Sequence, residues 1–203
     1  MSAARLALID DQEEVRKALA DMLAVFGYKV DTYASADAFL AGSNARPGCI
    51  ISDVRMPGLD GIGLVRKVAT SPANAPVILI SGHADVPMAV EALKTGAFDF
   101  IEKPVDDVKL VASINRALAK SAEEQDNARG IEELTARFER LTPREAEVFD
   151  LVTRGLTNYA VASELGISVR TVESYRAQIM EKMQADGLAM LVRQAIRLGR
   201  LSA

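Results

Sequence analysis

Cys49-Ile50-Ile51-Ser52-Asp53-Val54-Arg55-Met56-Pro57-Gly58-Leu59-Asp60-Gly61 is a short apolar run that stops on a carboxylate and enters a proline- and glycine-containing loop. Cys49–Ser52 reads as a β-strand, and Gly61, like Gly27 and Gly96, punctuates a helical stretch near its expected end. The same kind of unit recurs on both sides. Arg5–Ile9, Lys29–Tyr33, Pro76–Ser81 and Phe98–Glu102 are further candidate strands, and amphipathic stretches such as Val15-Leu19-Met22-Leu23-Phe26 lie between them. Strands that alternate with helices imply a parallel sheet covered on both faces. Five such units up to Lys120 fit an α/β flavodoxin-like (βα)5 domain with strand order 2-1-3-4-5.

In that architecture ligands sit outside the carboxyl ends of the strands. Strand one ends at Ile9 and is followed by Asp10-Asp11; strand three ends at Ser52 and is followed by Asp53. Strands one and three are neighbours in the expected order, so the three carboxylates converge at the topological switch point. Clustered carboxylates raise one another's pKa unless a cation intervenes. Mg²⁺ prefers oxygen ligands and keeps several waters, so a few carboxylates suffice to hold it. Ser81, ending strand four, and Lys103, following strand five, reach the same edge. A hydroxyl, an ammonium, a metal and a carboxylate together can hold a phosphoryl group on the carboxylate oxygen. Gly82 suits a close approach to such a group. Phe100, an aromatic on strand five, reads as core, and His83 as a surface loop residue rather than a base.

Composition bounds the rest. The 203 residues, 49% hydrophobic and 26% charged, allow one large or two small globular domains. No apolar run approaches the roughly 20 residues that span a bilayer, and the start of the chain lacks a cleavable signal pattern, so a cytoplasmic protein without membrane contact is expected. Cys49 and His83 are each the only residue of their type, which excludes an internal disulfide and a Cys/His zinc site. Cys49, inside an apolar run, is expected to be buried packing.

From Ser121 to Arg140 six acids face three arginines, and Ile131, Leu134 and Phe138 fall at helical spacing. The segment reads as a helical linker over 121–136, either solvated or serving as a dimerisation helix. After Leu141 everything reads as helix, with eight Lys/Arg against seven Asp/Glu. Thr142-Pro143-Arg144-Glu145 is a capping box with proline at the first helical position. Thr157 and Ser168 cap the second and third helices, and Gly155 and Gly166 end the first and second. A fourth helix runs from about Leu188 to Leu198. Two helices joined by Gly166-Ile167-Ser168 form a helix-turn-helix. The outward face of the third helix offers Arg170, Thr171, Glu173, Ser174, Tyr175, Arg176, Gln178 and Lys182, of which Arg170, Arg176, Gln178 and Lys182 suit hydrogen bonds to phosphates or base edges. Glu173 suits a cytosine amino group or a neighbouring arginine. Leu188, Leu191, Val192 and Ala195 on the last helix serve either a dimer contact or the intramolecular core.

Asp10-Asp11, Asp53, Ser81, Lys103-Pro104 and the loop from Ser52 to Gly61 make residues 1–120 resemble the receiver domain of two-component response regulators. Leu141–Glu145, Gly155–Asn158 and Leu165–Glu173 make residues 137–203 resemble a LuxR/FixJ-type helix-turn-helix domain, an all-α four-helix unit. The phrase Ser81-Gly82-His83-Ala84-Asp85-Val86-Pro87 points to the FixJ branch. The resemblance implies that Asp53 accepts phosphate, that Asp11, Asp53 and the Arg55 carbonyl ligate Mg²⁺, and that Asp10 acts through water. It implies a switch pair of Ser81 and Phe100, a phosphoryl contact from Lys103, and DNA contacts from Asn158 and the recognition helix. Tyr159 departs from the pattern, standing where many relatives carry a lysine. The implied partners are a sensor histidine kinase, since the chain lacks the phosphate-binding sequence G-x-x-x-x-G-K-[ST], promoter DNA, a second copy of the chain when phosphorylated, and RNA polymerase. An aspartate-nucleophile phosphatase is disfavoured, because Arg55 occupies the position where such sites place a second acid. The residues also leave open a helix-turn-helix that contacts protein, a receiver that is only a phosphate sink, and a constitutive DNA binder.

Overall fold

The computed structural model describes residues 4–42, 47–71, 74–82 and 86–201, so His83 lies outside the described residues. The chain forms two compact units, Met1–Glu124 and Gln125–Ala203. In the first, β1 (Arg5–Ile9), α1 (Glu13–Val25), β2 (Lys29–Tyr33), α2 (Ala36–Gly42), β3 (Cys49–Asp53), α3 (Gly61–Ala69), β4 (Val77–Ser81), α4 (Val86–Thr95) and β5 (Asp99–Glu102) follow one another. They lead into α5 (Asp107–Phe138). The five strands form one parallel sheet in the order β2-β1-β3-β4-β5.

The sheet is apolar on both faces because alternate residues of each strand point to opposite sides. Ala7, Ile9, Ile50, Val77 and Leu79 pack with residues of α2, α3 and α4. Leu6, Leu8, Cys49, Ile51, Ile78 and Ile80 pack with Leu23 of α1 and Leu110, Ile114 and Ala117 of α5. Helices on both faces leave the strand ends as the exits for polar chemistry. Cys49 is buried, and burial pushes its thiol up to about 12, so it is a packing residue. Phe26 does not complete the apolar face of α1: the helix ends at Val25, and Phe26 is 49% exposed.

The segment from Ser121 to Phe138 continues α5 without a break. Residues 122–129 are solvent-exposed, whereas Leu134 and Phe138 enter the core of the second unit. That unit contains α6 (Pro143–Thr153), α7 (Asn158–Leu165), α8 (Val169–Met183) and α9 (Leu188–Arg197). Thr142 and Glu145 form the reciprocal capping box of α6, and Thr157 and Ser168 cap α7 and α8. Gly166 closes α7 at φ 66°, a left-handed conformation that favours glycine. Gln184 caps α8 in the same region at φ 52°. Leu191 and Ala195 of α9 are buried within the unit, which settles their intramolecular role.

Glu145 does more than cap. Its side chain is 2% exposed, and the Lys182 ammonium of α8 donates to both its oxygens at 2.7 and 2.6 Å. Burial alone would raise the Glu145 carboxyl's pKa; the Lys182 and Thr142 hydrogen bonds outweigh it and hold the group below the usual glutamate range. A depressed carboxyl contributes stability that is present above the unfolded value of about 4.3 and lost as pH falls through the folded one. Glu145→Gln is therefore expected to cost about 1–3 kcal/mol at neutral pH. The deficit relative to wild type should shrink below about pH 4.3, as read by unfolding the full chain across pH. A pH-independent deficit would assign the loss to packing alone.

Candidate functional site

Register places the acids. Ile9 of β1 lies opposite Ser52 of β3, Asp53 opposite Ile80, and Ser81 opposite Glu102. Asp10 and Asp53 consequently emerge at one sheet edge, 2% and 8% exposed. The Lys103 ammonium sits between them, 3.0 Å from Asp10 Oδ2 and 2.6 Å from Asp53 Oδ1. The Lys103 backbone is fixed by its N–H, which donates to the Ser81 carbonyl at 2.8 Å, and the Lys103–Pro104 peptide is cis.

The other carboxylate oxygens are oriented by backbone donors. The Gln12 N–H donates to Asp10 Oδ1 at 2.9 Å, and the Arg55 N–H donates to Asp53 Oδ2 at 2.7 Å. Arg16 Nη1 donates to the Asp10 carbonyl at 2.6 Å and pins the loop from α1. Arg16 is a residue that sequence reasoning missed; it lies six residues beyond Asp10, and neither period nor motif marks it. Gly61 is required beside the site, since a Cβ there would lie 2.5 Å from the Asp53 carbonyl oxygen. Burial lowers the Lys103 ammonium's pKa, but hydrogen bonds to Asp53 and Asp10 and their charges outweigh it and hold it above the ordinary lysine value. The ammonium contributes stability below its unfolded pKa of about 10.4 and loses it as pH rises through the folded one, so it stays charged at neutral pH.

Asp11 is exposed in the bend after Asp10. Among the described residues no three metal-ligating side chains are gathered closely enough to hold a metal ion. The carboxylates at this edge nevertheless offer only oxygen donors: Asp10 and Asp53 are buried, and Asp11 is exposed. That set fits a hard cation that keeps most of its waters, sharing the carboxylates with Lys103. Ser81 is buried, with its hydroxyl 3.8 Å from Met88 Sδ of α4. Met88, with Arg55, Met56, Pro57, Pro87 and Glu91, lines a hollow of about 690 Å³ beside the edge. Phe100 packs partly against the core on the α2–α4 side, as its core reading expects, and also lines a hollow on the β5 surface.

In the second unit α7 and α8 form the helix-turn-helix. Arg170, Glu173, Ser174 and Gln178 are exposed on α8, and Thr171 is half-buried. The Ser174 hydroxyl donates to the Arg170 carbonyl at 3.1 Å, and Thr171 Oγ lies 2.8 Å from the Ser168 hydroxyl. Two residues expected on the outward face are turned elsewhere. Lys182 is committed to buried Glu145, and Tyr175 packs on the core. Arg176 is half-buried and donates through Nη1 to Asn158 Oδ1 at 2.6 Å, tying the recognition helix to the first residue of α7. Tyr159, next to Asn158, is 78% exposed.

A five-stranded parallel sheet with an acidic carboxyl edge, followed by a helix-turn-helix unit, defines a two-domain signalling regulator. Residues 6–115 match the response regulator receiver domain, and residues 139–195 match the bacterial regulatory proteins of the luxR family. The chain is 46% identical over 195 residues to the transcriptional regulatory protein FixJ of Azorhizobium caulinodans, covering 95% of this chain and 92% of that one. Its structure resembles that of the response regulator StyR with a TM-score of 0.84 at 34% identity, over 97% of this chain and all of the other. It also resembles full-length FixJ from B. japonicum, with a TM-score of 0.59 at 40% identity over both whole chains. The chain belongs to the FixJ-type response regulators, transcriptional regulators with a receiver and a LuxR-type DNA-binding domain.

Removing the ammonium exposes how the acidic edge is held. Lys103→Met leaves Asp10 and Asp53 buried without their shared counter-ion, so their like charges face each other uncompensated. In the presence of a chelator the variant should lose about 1–3 kcal/mol at pH 7 by urea unfolding. Less should be lost when Asp53→Asn is present as well, since one of the two charges is then gone. Equal losses in both backgrounds would mean that the ammonium is not their counter-ion.

Proposed function

We propose that Asp53 accepts a phosphoryl group from a sensor histidine kinase and that the modification promotes dimerisation and promoter binding. The observation that carries this reading is the Lys103 ammonium held within hydrogen-bond reach of both Asp10 and Asp53 at the carboxyl edge of the sheet. An Asp53 oxygen attacks phosphorus, the phosphorus–nitrogen bond of the phosphohistidine breaks, and the histidine leaves. Lys103 lies where it can pair with the transferred group as that group displaces its bond to Asp53. Asp11, Asp53 and the Arg55 carbonyl would hold Mg²⁺, with Asp10 acting through water. The cation supplies charge neutralisation for the phosphoryl oxygens. Ser81 turns from Met88 toward the phosphoryl group, Phe100 moves inward, and the surface of α4 and β5 changes shape. A full switch requires about 5.5 kcal/mol of differential stabilisation, and direct Ser81 and Lys103 contacts to a group of about −2 charge supply a large part of it.

In this reading residues 1–120 are the receiver, 121–136 a helical linker, and 137–203 the DNA-binding domain. Arg170, Thr171, Glu173, Ser174 and Gln178 contact DNA, while Asn158 and Arg176 act as a linked pair and Lys182 belongs to the fold. The protein acts in the cytoplasm, recruits or contacts RNA polymerase, and is a regulator rather than an enzyme; among the described residues no helix is long and apolar enough to cross a membrane.

Two experiments test the reading. Acetyl phosphate should shift wild type toward dimer and strengthen its gel shift on promoter fragments, and Asp53→Asn should show neither response; unchanged behaviour in Asp53→Asn would refute phosphorylation control through this residue. Tyr159→Lys restores a cation at the start of α7. It should steepen the dependence of log K on log salt by about one contact's worth, roughly 0.9, with no change in sequence preference.

A further inference from the structure

We propose, on the reading that this helix-turn-helix binds promoter DNA, that Arg176 is a positioning residue for that binding. Its guanidinium fixes the Asn158 amide so that the amide nitrogen donates to one backbone phosphate. Arg176 stands four residues after Val172 and three before Ile179, both buried, so its backbone lies on the inner side of α8. The face that exposes Arg170, Ser174 and Gln178 is a different one. Arg176 Nη1 donates to Asn158 Oδ1 at 2.6 Å. A guanidinium has donors only, so the amide oxygen has to be the atom that meets it. The amide nitrogen, with its two hydrogens, is thereby the free end of Asn158, and among the described residues it has no protein partner.

The charge at this pair is also open. Arg137 and Arg176 are the half-buried arginines among the described residues of the second unit. Arg137 Nη2 lies 3.8 Å from Glu133 Oε2, whereas Arg176 has no carboxylate partner among the described residues. A partly desolvated cation whose side-chain partner is a neutral amide leaves its charge to be met from outside. It also polarises the amide that it bonds and makes the nitrogen a stronger donor. Tyr159, the next residue, is 78% exposed, so this end of α7 is open to a partner. An amide nitrogen backed by a guanidinium fits an anionic oxygen, and on DNA that oxygen belongs to a phosphate. An adenine edge would need both the donor and the acceptor of the amide, and the acceptor is already engaged. The pair therefore contributes affinity and register but no sequence preference.

The test is phosphate ethylation interference with the full chain, in acetyl phosphate and Mg²⁺, on a duplex that wild type selects from a random-sequence pool. Ethylation of one phosphate per half-site should block wild type and be tolerated by Asn158→Ala. Arg176→Met should become tolerant at the same phosphate, because it acts through the amide. Arg176→Ala carries the same expectation and serves as the second variant should methionine disturb the packing of α8. Each single variant should bind the unmodified duplex about tenfold more weakly, and the two changes together should cost about as much as the worse one alone. Each should select the same consensus sequence as wild type. A tie that served only to hold α7 against α8 would weaken binding without freeing any single phosphate, and that result overturns the proposal. So do tolerance at different phosphates, additive losses, or an altered consensus. Failure of wild type to select any duplex would overturn promoter binding itself, and this proposal with it.

Discussion

The acidic edge depends on one unfavourable condition that the fold imposes: two carboxylates leave neighbouring parallel strands at the same level and are removed from water. Asp10 and Asp53 cannot spread apart, because β1 and β3 are locked in register and both side chains are held by backbone N–H groups. Their mutual repulsion is relieved by the Lys103 ammonium, itself fixed through the Ser81 carbonyl. A like-charge pair balanced by one cation has a deficit of positive charge of about one unit. A divalent cation or a redistribution of charge on Asp53 therefore acts on a site already poised near imbalance. The core on either face of the sheet supplies the rigidity that stops the edge from relaxing.

Much of this edge is legible in the sequence because it depends on strand ends. Three apolar runs and two mixed ones fix where the carboxyl ends fall, and the doubly wound order then brings Asp10, Asp53, Ser81 and Lys103 together without knowledge of loops. What period cannot give is the partner of a side chain. Arg16 touches the Asp10 carbonyl and Met88 lies against Ser81 through loop geometry that no spacing encodes. Phe26 departs from its expected place for a related reason: it continues an apolar stripe past the point where the helix itself stops.

On the recognition helix, period and charge point different ways. Val172, Ile179 and Met183 are buried, and Arg176 falls between them at heptad spacing, so its position alone puts it on the inward stripe. Its charge argues for solvent, and the structure resolves the conflict by pairing it with Asn158. Lys182 stands three residues after Ile179 and one before Met183, at the border of the same stripe. A long flexible ammonium at a border reaches whichever acid is desolvated nearby, here Glu145 of the capping box. The box is legible from four consecutive residues, but its tertiary partner 37 residues away is not.

These commitments bear on how such a unit can bind DNA at all. Of the three cationic side chains on α8, Arg176 and Lys182 are engaged within the protein, and Arg170 is the one left to solvent among the described contacts. The exposed neighbour at the start of α7 is a neutral tyrosine. A single copy therefore offers few phosphate contacts, and counterion release, which grows with each contact, gives it little affinity. On the proposal that phosphorylation promotes dimerisation, two copies on paired half-sites would double that count and add their base contacts, so occupancy would depend steeply on whether the dimer forms. So sparsely charged a reading face would make DNA binding answer to dimerisation, the quantity that the proposed modification of Asp53 controls.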